Sequence, residues 1–135
     1  MAFQGNFTCD SFKEALFKAD VDFLVDTIKI ALYDNTATLN ASTTAYTTTG
    51  EVVAAGYTAG GNTLTPTVAL SNGVSYVDFG NTSWSAAITA RGALIYKSGG
   101  TAICVLDFGS DKTSTTTFTV EFPVNNSDSA LIRLS

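Results

Sequence analysis

The sequence predicts an all-β fold, a β-sandwich or jelly roll of seven to nine short antiparallel strands with one short N-terminal helix. Three observations lead to this prediction. Residues 90–109 hold two apolar runs around a glycine turn, and turn-forming residues recur roughly every ten positions. The chain is also rich in Thr, Ser, Asn and Gly, with only 14% charged residues. Its 135 residues suit one domain, residues 1–135, which is long enough to bury a core.

The stretch ARGALIYKSGGTAICVLDFG, residues 90–109, is the predicted centre of the fold. Glycines between two β-type runs mark a hairpin whose turn needs positive φ. Neither run alternates with polar residues, so we expect both faces of these strands to be covered, as in the middle of a sheet.

Residues 1–22 are predicted to form an N-terminal arm followed by a short helix. Ser11 and Glu14 have the spacing of a capping box, in which the serine hydroxyl accepts a hydrogen bond from the Glu14 amide. Phe12 and Leu16 follow at helical spacing. Because so short a helix is marginal alone in water, it must dock on another surface.

Four residues of this segment are the candidate protein-interface residues: Phe3, Phe7, Phe12 and Leu16. We expect the polar arm to be unstructured, so Phe3 and Phe7 are predicted to reach a partner while Phe12 and Leu16 face the home domain. Deleting residues 1–8 would then leave the isolated fold nearly as stable as before. The helix is expected to cover one open end of its own sandwich, and the alternative, that it docks on a partner's surface, stays open.

Residues 27–33 form the first predicted strand, because apolar side chains alternate there with others. Ile28, Ile30 and Leu32 are expected on the buried face, and Lys29, Ala31 and Tyr33 on the other. Residues 34–44 have the composition of a polar surface loop, and long loops are often interaction sites. Residues 51–57 are predicted to form a strand from a weaker pattern.

A hairpin is predicted around Asn72 and Gly73, because a type I′ turn needs positive φ at both central positions. Its strands are residues 63–70 and 74–79. Pro66 cannot donate to a ladder, which places the first strand on an edge or at a bulge. In the second strand, Val77 and Phe79 are expected on one face, with Tyr76 and Asp78 on the other.

The C-terminal third predicts further strands around a polar loop at residues 110–115. Trp84, the only tryptophan, is interpreted as a core or rim residue. Residues 116–122 form the clearest amphipathic strand, and residues 130–134 the last one. The predicted inward-facing side chains of this region are Phe118, Val120 and Phe122, beside Ile95, Ile103 and Val105.

The sequence predicts no catalytic, cofactor-binding or metal site. It has no histidine, so Ser-His-Asp and Cys-His arrangements are impossible and the commonest general base is missing. Asp20, Asp22 and Asp26 lack the glycine and the terminal glutamate of a calcium loop. Cys9 and Cys104 are expected to be buried free thiols, since cysteine is among the most buried residue types. We therefore expect a protein that is not an enzyme and needs no cofactor.

Charge and hydropathy also limit the partners. Seven basic residues against twelve acidic ones give a net charge of -5, and the basic residues are scattered, which argues against nucleic-acid binding. No apolar run approaches the roughly 20 residues that span a bilayer, so no membrane role is expected. Residues 1–6 lack the features of a secretory signal, which favours synthesis in a cytoplasm.

Several segments together resemble small virion structural proteins encoded among the head genes of tailed bacteriophages. They are TIKIALYDNTATLNAS from residue 27, EVVAAGYTAGGNTLT, TSWSAAITARGALIYK, AICVLDFG and TFTVEFP. The likeness covers most of the chain from Asp22 onward and consists of strand and turn patterns. Within this group, the capsid cement or decoration proteins are the most similar.

The resemblance implies a non-enzymatic component of the virion that binds the outer surface of the capsid after synthesis in the host bacterial cytoplasm. Its partners would be the major capsid protein and copies of itself, as a homodimer or homotrimer. Two alternatives stay open: a tail, neck or fibre structural protein, and a carbohydrate-binding module that uses Trp84 and the tyrosines.

Overall fold

The computed structural model describes Phe3 and residues 5–134 and has the predicted all-β, sandwich-like architecture, with antiparallel pairing throughout its sheets. One helix, α1, spans Asp10–Phe17. The strands are β1 Phe7–Thr8, β2 Ile28–Tyr33, β3 Asn62–Thr63, β4 Pro66–Ser71, β5 Val74–Phe79, β6 Thr82–Trp84, β7 Thr89–Lys97, β8 Ala102–Thr113, β9 Phe118–Val120 and β10 Ile132–Leu134. The described residues thus form ten strands, and the two-residue strands β1 and β3 explain the excess over the predicted number.

The strands form three sheets. The largest has the order β1-β8-β7-β2-β3, the second β10-β5-β4, and the third pairs β6 with β9. The predicted central hairpin is β7 and β8, and β7 lies in the middle of the largest sheet with its central side chains buried. Gly99 supplies the positive φ of the turn, at 74°. Coverage of both faces of β7 is therefore confirmed.

Two predictions about strand length and burial are wrong. Strand β8 continues through residues 110–113, which were expected to form a loop, because Lys112 and Thr113 pair with Ala90 and Thr89 after a register shift in β7. Strand β2 is buried on both faces, since Ala31 and Tyr33 are as inaccessible as Ile30. The Tyr33 hydroxyl donates to the Thr47 carbonyl at 2.7 Å, so the following loop covers this face.

Residues 51–57 do not form the predicted strand. Only Glu51 makes a bridge, to Tyr33, and the chain then turns through Gly56, whose φ is 90°. Val53, which would have been a strand residue, is 98% exposed. The alternation that suggested a strand is therefore a short extended stretch followed by a turn.

The hairpin at residues 71–74 is confirmed. Asn72 and Gly73 have φ values of 54° and 76°, as a type I′ turn requires, and they join β4 to β5. Pro66 begins β4, which lies at the edge of its sheet. Asp78 lies on the face opposite Val77 and Phe79 and is buried as they are, so both faces of β5 are covered at its C-terminal end.

The helix begins differently from the capping-box prediction. Cys9 is the N-cap residue and α1 starts at Asp10, without a side-chain cap. The Ser11 hydroxyl instead hydrogen-bonds the Thr101 hydroxyl at 2.7 Å, which ties the helix to the β7–β8 turn. This tertiary contact replaces the predicted bond within the helix.

The described part of the N-terminal arm packs on its own domain, so Phe3 and Phe7, which were expected to reach a partner, both contact the domain that carries them. Phe7 pairs with Val105 as part of β1 and is half-buried. Phe3 is only 5% exposed, with the Arg91 guanidinium 5.9 Å from its ring centroid. Both rings are held by the central hairpin because the arm extends the largest sheet.

Strand β9 is shorter than the predicted residues 116–122. Phe118 and Val120 are buried as expected, and Phe122 is half-buried beyond the strand end. Phe118 pairs with Trp84 across β6 and β9. Ile95, Ile103 and Val105 belong to the same apolar core cluster, against which Phe122 packs.

Candidate functional site

A groove runs between α1 and β10, and we call it the helix groove. Its volume is about 630 Å³. Residues from four parts of the chain line it: Thr8, Phe12, Lys13, Leu16, Val74, Ser127, Leu131, Ile132, Arg133 and Leu134. Phe12 is buried, whereas Leu16 is 41% exposed and Leu134 is 65% exposed. The groove therefore has accessible apolar side chains on both α1 and β10.

The exposed side of α1 adds one more apolar side chain. Phe17 ends the helix and is 96% exposed. It lies five residues after Phe12, which places it on the opposite side of the helix from that buried ring. On the same helix, the exposed ion pairs Lys13–Asp10 and Lys18–Glu14 have N–O distances of 3.2 and 2.9 Å.

The four predicted interface residues thus differ in how far the domain itself covers them. Phe3 and Phe12 are in the protein's own core and Phe7 is half-buried in β1, so these three stabilise the fold. Leu16 is only partly covered by the home domain that it was expected to face. The interface itself stays a prediction, and Leu16 and Phe17 are the side chains of α1 that are available to it.

Sequence reasoning missed a buried polar cluster around Glu51, which we call the Glu51 cluster. The Glu51 carboxylate accepts hydrogen bonds from the Tyr46 hydroxyl at 2.5 Å, the Tyr57 hydroxyl at 2.6 Å and the Gly60 amide at 2.8 Å. The Tyr57 hydroxyl in turn accepts from the Leu32 amide at 3.0 Å. These bonds fasten the long segment between β2 and β3 to the largest sheet.

Two more tyrosines, Tyr33 and Tyr96, belong to the Glu51 cluster, and Tyr33 forms a β-bridge with Glu51. Tyr96 stacks on Tyr46 with a centroid distance of 4.9 Å and donates its hydroxyl proton to the Gly60 carbonyl at 2.6 Å. Burial, and then the nearby charge of Glu51, raises the pKa of Tyr96 to about 12. Burial also raises the pKa of Tyr33, Tyr46 and Tyr57 above the ordinary tyrosine value. All four phenols are therefore neutral donors at neutral pH.

One signal in the sequence pointed to the Glu51 cluster. Glu51 is the only charged residue between Asp34 and Asp78, and two tyrosines lie within six positions of it. A lone charge in a long uncharged segment is a candidate for burial with partners. The hydrogen-bond partners of the buried Glu51 could not be predicted, because it lies among turns and the fold alone brings the hydrogen-bond donors to its carboxylate.

Trp84 lies in the core. It is buried between Tyr57 and Phe118, with centroid distances of 5.9 and 6.3 Å. This confirms its interpretation as a core residue. Tyr33 and Tyr57 are buried as well, so these two rings and that of Trp84 are not accessible for stacking on a carbohydrate.

Among the acidic residues before β2, Asp26 stabilises its own turn and joins that turn to the end of β7. The Asp26 carboxylate accepts from the Asp22 amide at 2.8 Å and pairs with the Lys97 ammonium at 3.2 Å. The amide of Asp22 and then Lys97 hold the pKa of Asp26 below its ordinary value. Within Phe3 and residues 5–134, no three His, Cys, Asp or Glu side chains are grouped to hold a metal ion.

Cys9 and Cys104 are both free and buried. Strand β1 brings them near each other, because Thr8 lies opposite Cys104 and the Cys9 amide donates to the Ile103 carbonyl at 2.8 Å. Burial, and then the charge of Asp10, raises the pKa of Cys9 to about 11. Burial also raises the pKa of Cys104. The thiolate forms that react are therefore disfavoured in the folded protein.

The fold and these surfaces define an all-β, sandwich-like protein with apolar side chains exposed along one helix and one sheet edge. In the described part of the chain, α1 is too short to cross a bilayer. Comparisons with protein-family models, with curated proteins and with solved structures find no match to this chain.

Proposed function

We propose that this protein is a non-enzymatic structural component of a bacteriophage virion, a cement or decoration protein that binds and stabilises the major capsid protein lattice. Its place would be the outer surface of the capsid. The resemblance of its strand and turn segments to phage head proteins supports this proposal, and the all-β fold is compatible with it.

The observation that carries the proposal is the exposed apolar surface formed by Leu16 and Leu134 of the helix groove and by Phe17 at the end of α1. Leu16, Phe17 and Leu134 are exposed to solvent. All the other phenylalanines of the chain are buried or half-buried. Apolar side chains that stay accessible beside a groove are typical of protein-binding surfaces. We assign this surface to the major capsid protein.

A protein that binds the assembled lattice stabilises it by linkage. Whatever binds the shell and not its separated subunits adds its binding free energy to the stability of the shell. This role needs no reacting group. A small rigid sandwich is suited to the task because it loses little conformational freedom on binding.

The binding experiment uses a double variant of α1, Leu16→Ser with Phe17→Ser. Its control is Val53→Ser, because Val53 is as exposed as Phe17 and lies outside any strand or turn, far along the chain from the helix. Each protein is sedimented with heads of the encoding phage from which this protein has been stripped. We expect at least about a tenfold loss of affinity for the double variant and none for the control. Undiminished binding by the double variant would contradict the assigned surface.

The location experiment distinguishes the head from the tail. A labelled copy of the chain imaged in the virion should occur at positions that repeat with the capsid lattice. Label confined to a few rings would instead support the alternative of a tail, neck or fibre protein.

A further inference from the structure

We propose that the free edge of β4 is a self-association surface, at which a second copy of this chain adds its own β4 in antiparallel orientation. The sheets β10-β5-β4 of two copies then form one continuous sheet across a two-fold axis. This inference deepens the proposed function and rests on it only in that the resemblance to phage head proteins implies copies of the chain as partners.

The first argument is the backbone of β4. Ser71 and Val74 flank a two-residue turn and so form a hydrogen-bonded pair, and bonded pairs then alternate along β4 and β5. Val68 and Leu70 occupy the non-bonded positions opposite Val77 and Ser75. Their amide and carbonyl groups therefore point away from β5. Within Phe3 and residues 5–134, these groups meet no neighbouring strand, because β4 ends the sheet.

The second argument is the side chains on one face of this sheet. Val68 and Leu70 are opposite Val77 and Ser75, which in turn are opposite Ile132 and Leu134 of β10. Opposed residues of neighbouring strands lie on the same face, so five of these six side chains form an apolar surface. The core covers Val77 on this face, but toward the hairpin end Leu70 is 74% exposed. An added strand would cover part of that end.

The third argument is charge. Residues 64–77 carry no charged side chain, although the whole chain has a net charge of -5. Exposed edge strands are usually protected from pairing by charged residues or proline, and β4 has only Pro66, at its first position. Two copies of an acidic protein can therefore approach each other at this hairpin without bringing like charges together at the contact. The absence of charged side chains therefore favours a second copy of the chain as the partner of this edge.

The register of pairing follows from Pro66. If Val68 pairs with Leu70 of the second copy, both outward-pointing residues of each β4 exchange their hydrogen bonds and Ala69 lies on the two-fold axis. A shift that centres on Val68 would bring Pro66 opposite Leu70, and proline has no amide to donate. A shift that centres on Leu70 would bring Val68 opposite Asn72, which is in the turn. The register centred on Ala69 is therefore the one that satisfies the edge.

Two substitutions test this arrangement. Val68→Pro removes an amide that points away from β5, so it should abolish pairing between copies while leaving the β4–β5 ladder intact. Leu70→Lys places a charge on the exposed apolar face, and the symmetric dimer contains that change twice. The matched control is Val53→Lys, which adds the same charge at a residue that is 98% exposed outside any strand.

The measurement is sedimentation velocity of the purified full chain over a concentration series, with hydrogen exchange at the amides of Val68 and Leu70. We expect the parent and Val53→Lys to reach twice the 14.1 kDa chain mass, with both amides protected. Val68→Pro and Leu70→Lys should need at least about tenfold higher concentration to do so. Thermal midpoints equal to that of the parent, measured at concentrations at which all the proteins are monomeric, would show that the fold is retained.

Several results would overturn the proposal. A parent chain that stays monomeric at the highest concentration would overturn it, and so would a parent chain that forms a trimer. A third such result is a Leu70→Lys variant that still dimerises while its Val68 amide exchanges freely. Protection of these amides only after phage heads are added would mean that the edge binds a capsid strand instead of a second copy. Head binding is measured separately on the monomeric variants, so failure of this inference and failure of the proposed function are distinguishable.

Discussion

Glu51 shows how one residue organises a loop. Its carboxylate is the common acceptor for Tyr46, Tyr57 and Gly60, all of which lie in the segment between β2 and β3. That segment forms two isolated β-bridges, Glu51 with Tyr33 and Ala45 with Thr101. Its shape therefore depends more on the hydrogen bonds to Glu51 than on backbone pairing. A buried carboxylate that is fully hydrogen-bonded rigidifies its surroundings, whereas a partly bonded one destabilises them.

We expect Glu51→Ala to lower the free energy of unfolding by about 2–5 kcal/mol, because buried donors that lose their acceptor cost about 1–3 kcal/mol each. The control is Glu121→Ala, at an exposed position, which should change the value by less than about 0.5 kcal/mol. Urea denaturation followed by tryptophan fluorescence measures both. Equal midpoints for the two variants would show that the Glu51 cluster does not stabilise the loop.

The tyrosines of the Glu51 cluster predict a loss of stability in alkaline solution. Their pKa values in the folded protein are raised above the ordinary value, that of Tyr96 to about 12. A raised folded pKa contributes stability that is fully present below the unfolded pKa of about 10 and is lost as pH rises toward the folded pKa. The free energy of unfolding should therefore fall from about pH 10 upward.

Ultraviolet absorbance of the tyrosinate form checks this prediction. The four phenols should ionise together with unfolding, at a pH where an exposed tyrosine has already titrated. Tyr96→Phe should reduce the dependence of stability on pH in this range, because it removes one shifted group. Complete ionisation near pH 10 with the fold intact would contradict the prediction.

At the scale of elements, two glycines with nearly the same backbone conformation have different surroundings. Gly61 and Gly73 have φ values of 77° and 76°. A Cβ atom added to Gly61 would lie 1.7 Å from the Ile30 carbonyl oxygen, whereas one added to Gly73 would have no atom within 4 Å. Gly61 is thus needed for the close approach of the loop to β2, and Gly73 only for its turn.

We expect Gly73→Ala to cost about 1–2 kcal/mol, the strain of a left-handed alanine. Gly61→Ala should cost distinctly more, because the backbone must move away from Ile30 and the pairing of β2 with β3 is lost. Thermal unfolding of the two variants measures the difference. Equal losses would mean that the contact with Ile30 relaxes freely.

At the scale of the whole molecule, the N-terminal arm joins distant parts of the chain. Strand β1 covers the edge of β8, and the Asn6 side chain accepts from the Asp107 amide at 2.6 Å. Arg91, which lies near the Phe3 ring, also pairs with Asp107 at 2.8 Å. The arm is therefore part of the domain and closes one edge of the largest sheet.

Deleting residues 1–8 is accordingly expected to lower the free energy of unfolding by roughly 2–4 kcal/mol, from the lost burial of Phe3 and the lost pairing of β1. This reverses the expectation from the sequence that the isolated fold would be nearly unaffected. The control is Phe17→Ala, which should leave stability unchanged because Phe17 is 96% exposed. Thermal midpoints that match for the deletion and the control would restore the view of a detachable arm.

The candidate site was predictable only in part. Aromatic residues at the N-terminus indicated an adhesive segment, yet Phe3 and Phe12 belong to the core and Phe17, which is exposed, was not among the four candidates. The helical period places Phe12 and Phe17 on different sides, but it does not say which side the domain covers. That choice depends on β8 and β10, which are far away in the sequence.

The sequence by itself determined the all-β class, the central hairpin and the β4–β5 hairpin, because these follow from local chemistry. Asn72 and Gly73 accept positive φ with little cost, and the apolar runs on either side of Gly99 need no distant information to form strands. Pro66 likewise limited its strand to an edge or a bulge, since a missing amide is a property of the residue itself, and the structure has it at an edge.

Only the tertiary structure decided four features. They are the packing of Phe3 and β1 on the domain, the burial of both faces of β2, the continuation of β8 to Thr113 and the formation of the Glu51 cluster. In each case the deciding contact joins residues far apart in sequence, such as Phe7 with Val105 or Tyr96 with Gly60. The energy of these contacts is gained only once the chain has closed long loops, so no local pattern encodes it. The same physics explains why residues 51–57 resembled a strand and became a turn around a buried carboxylate.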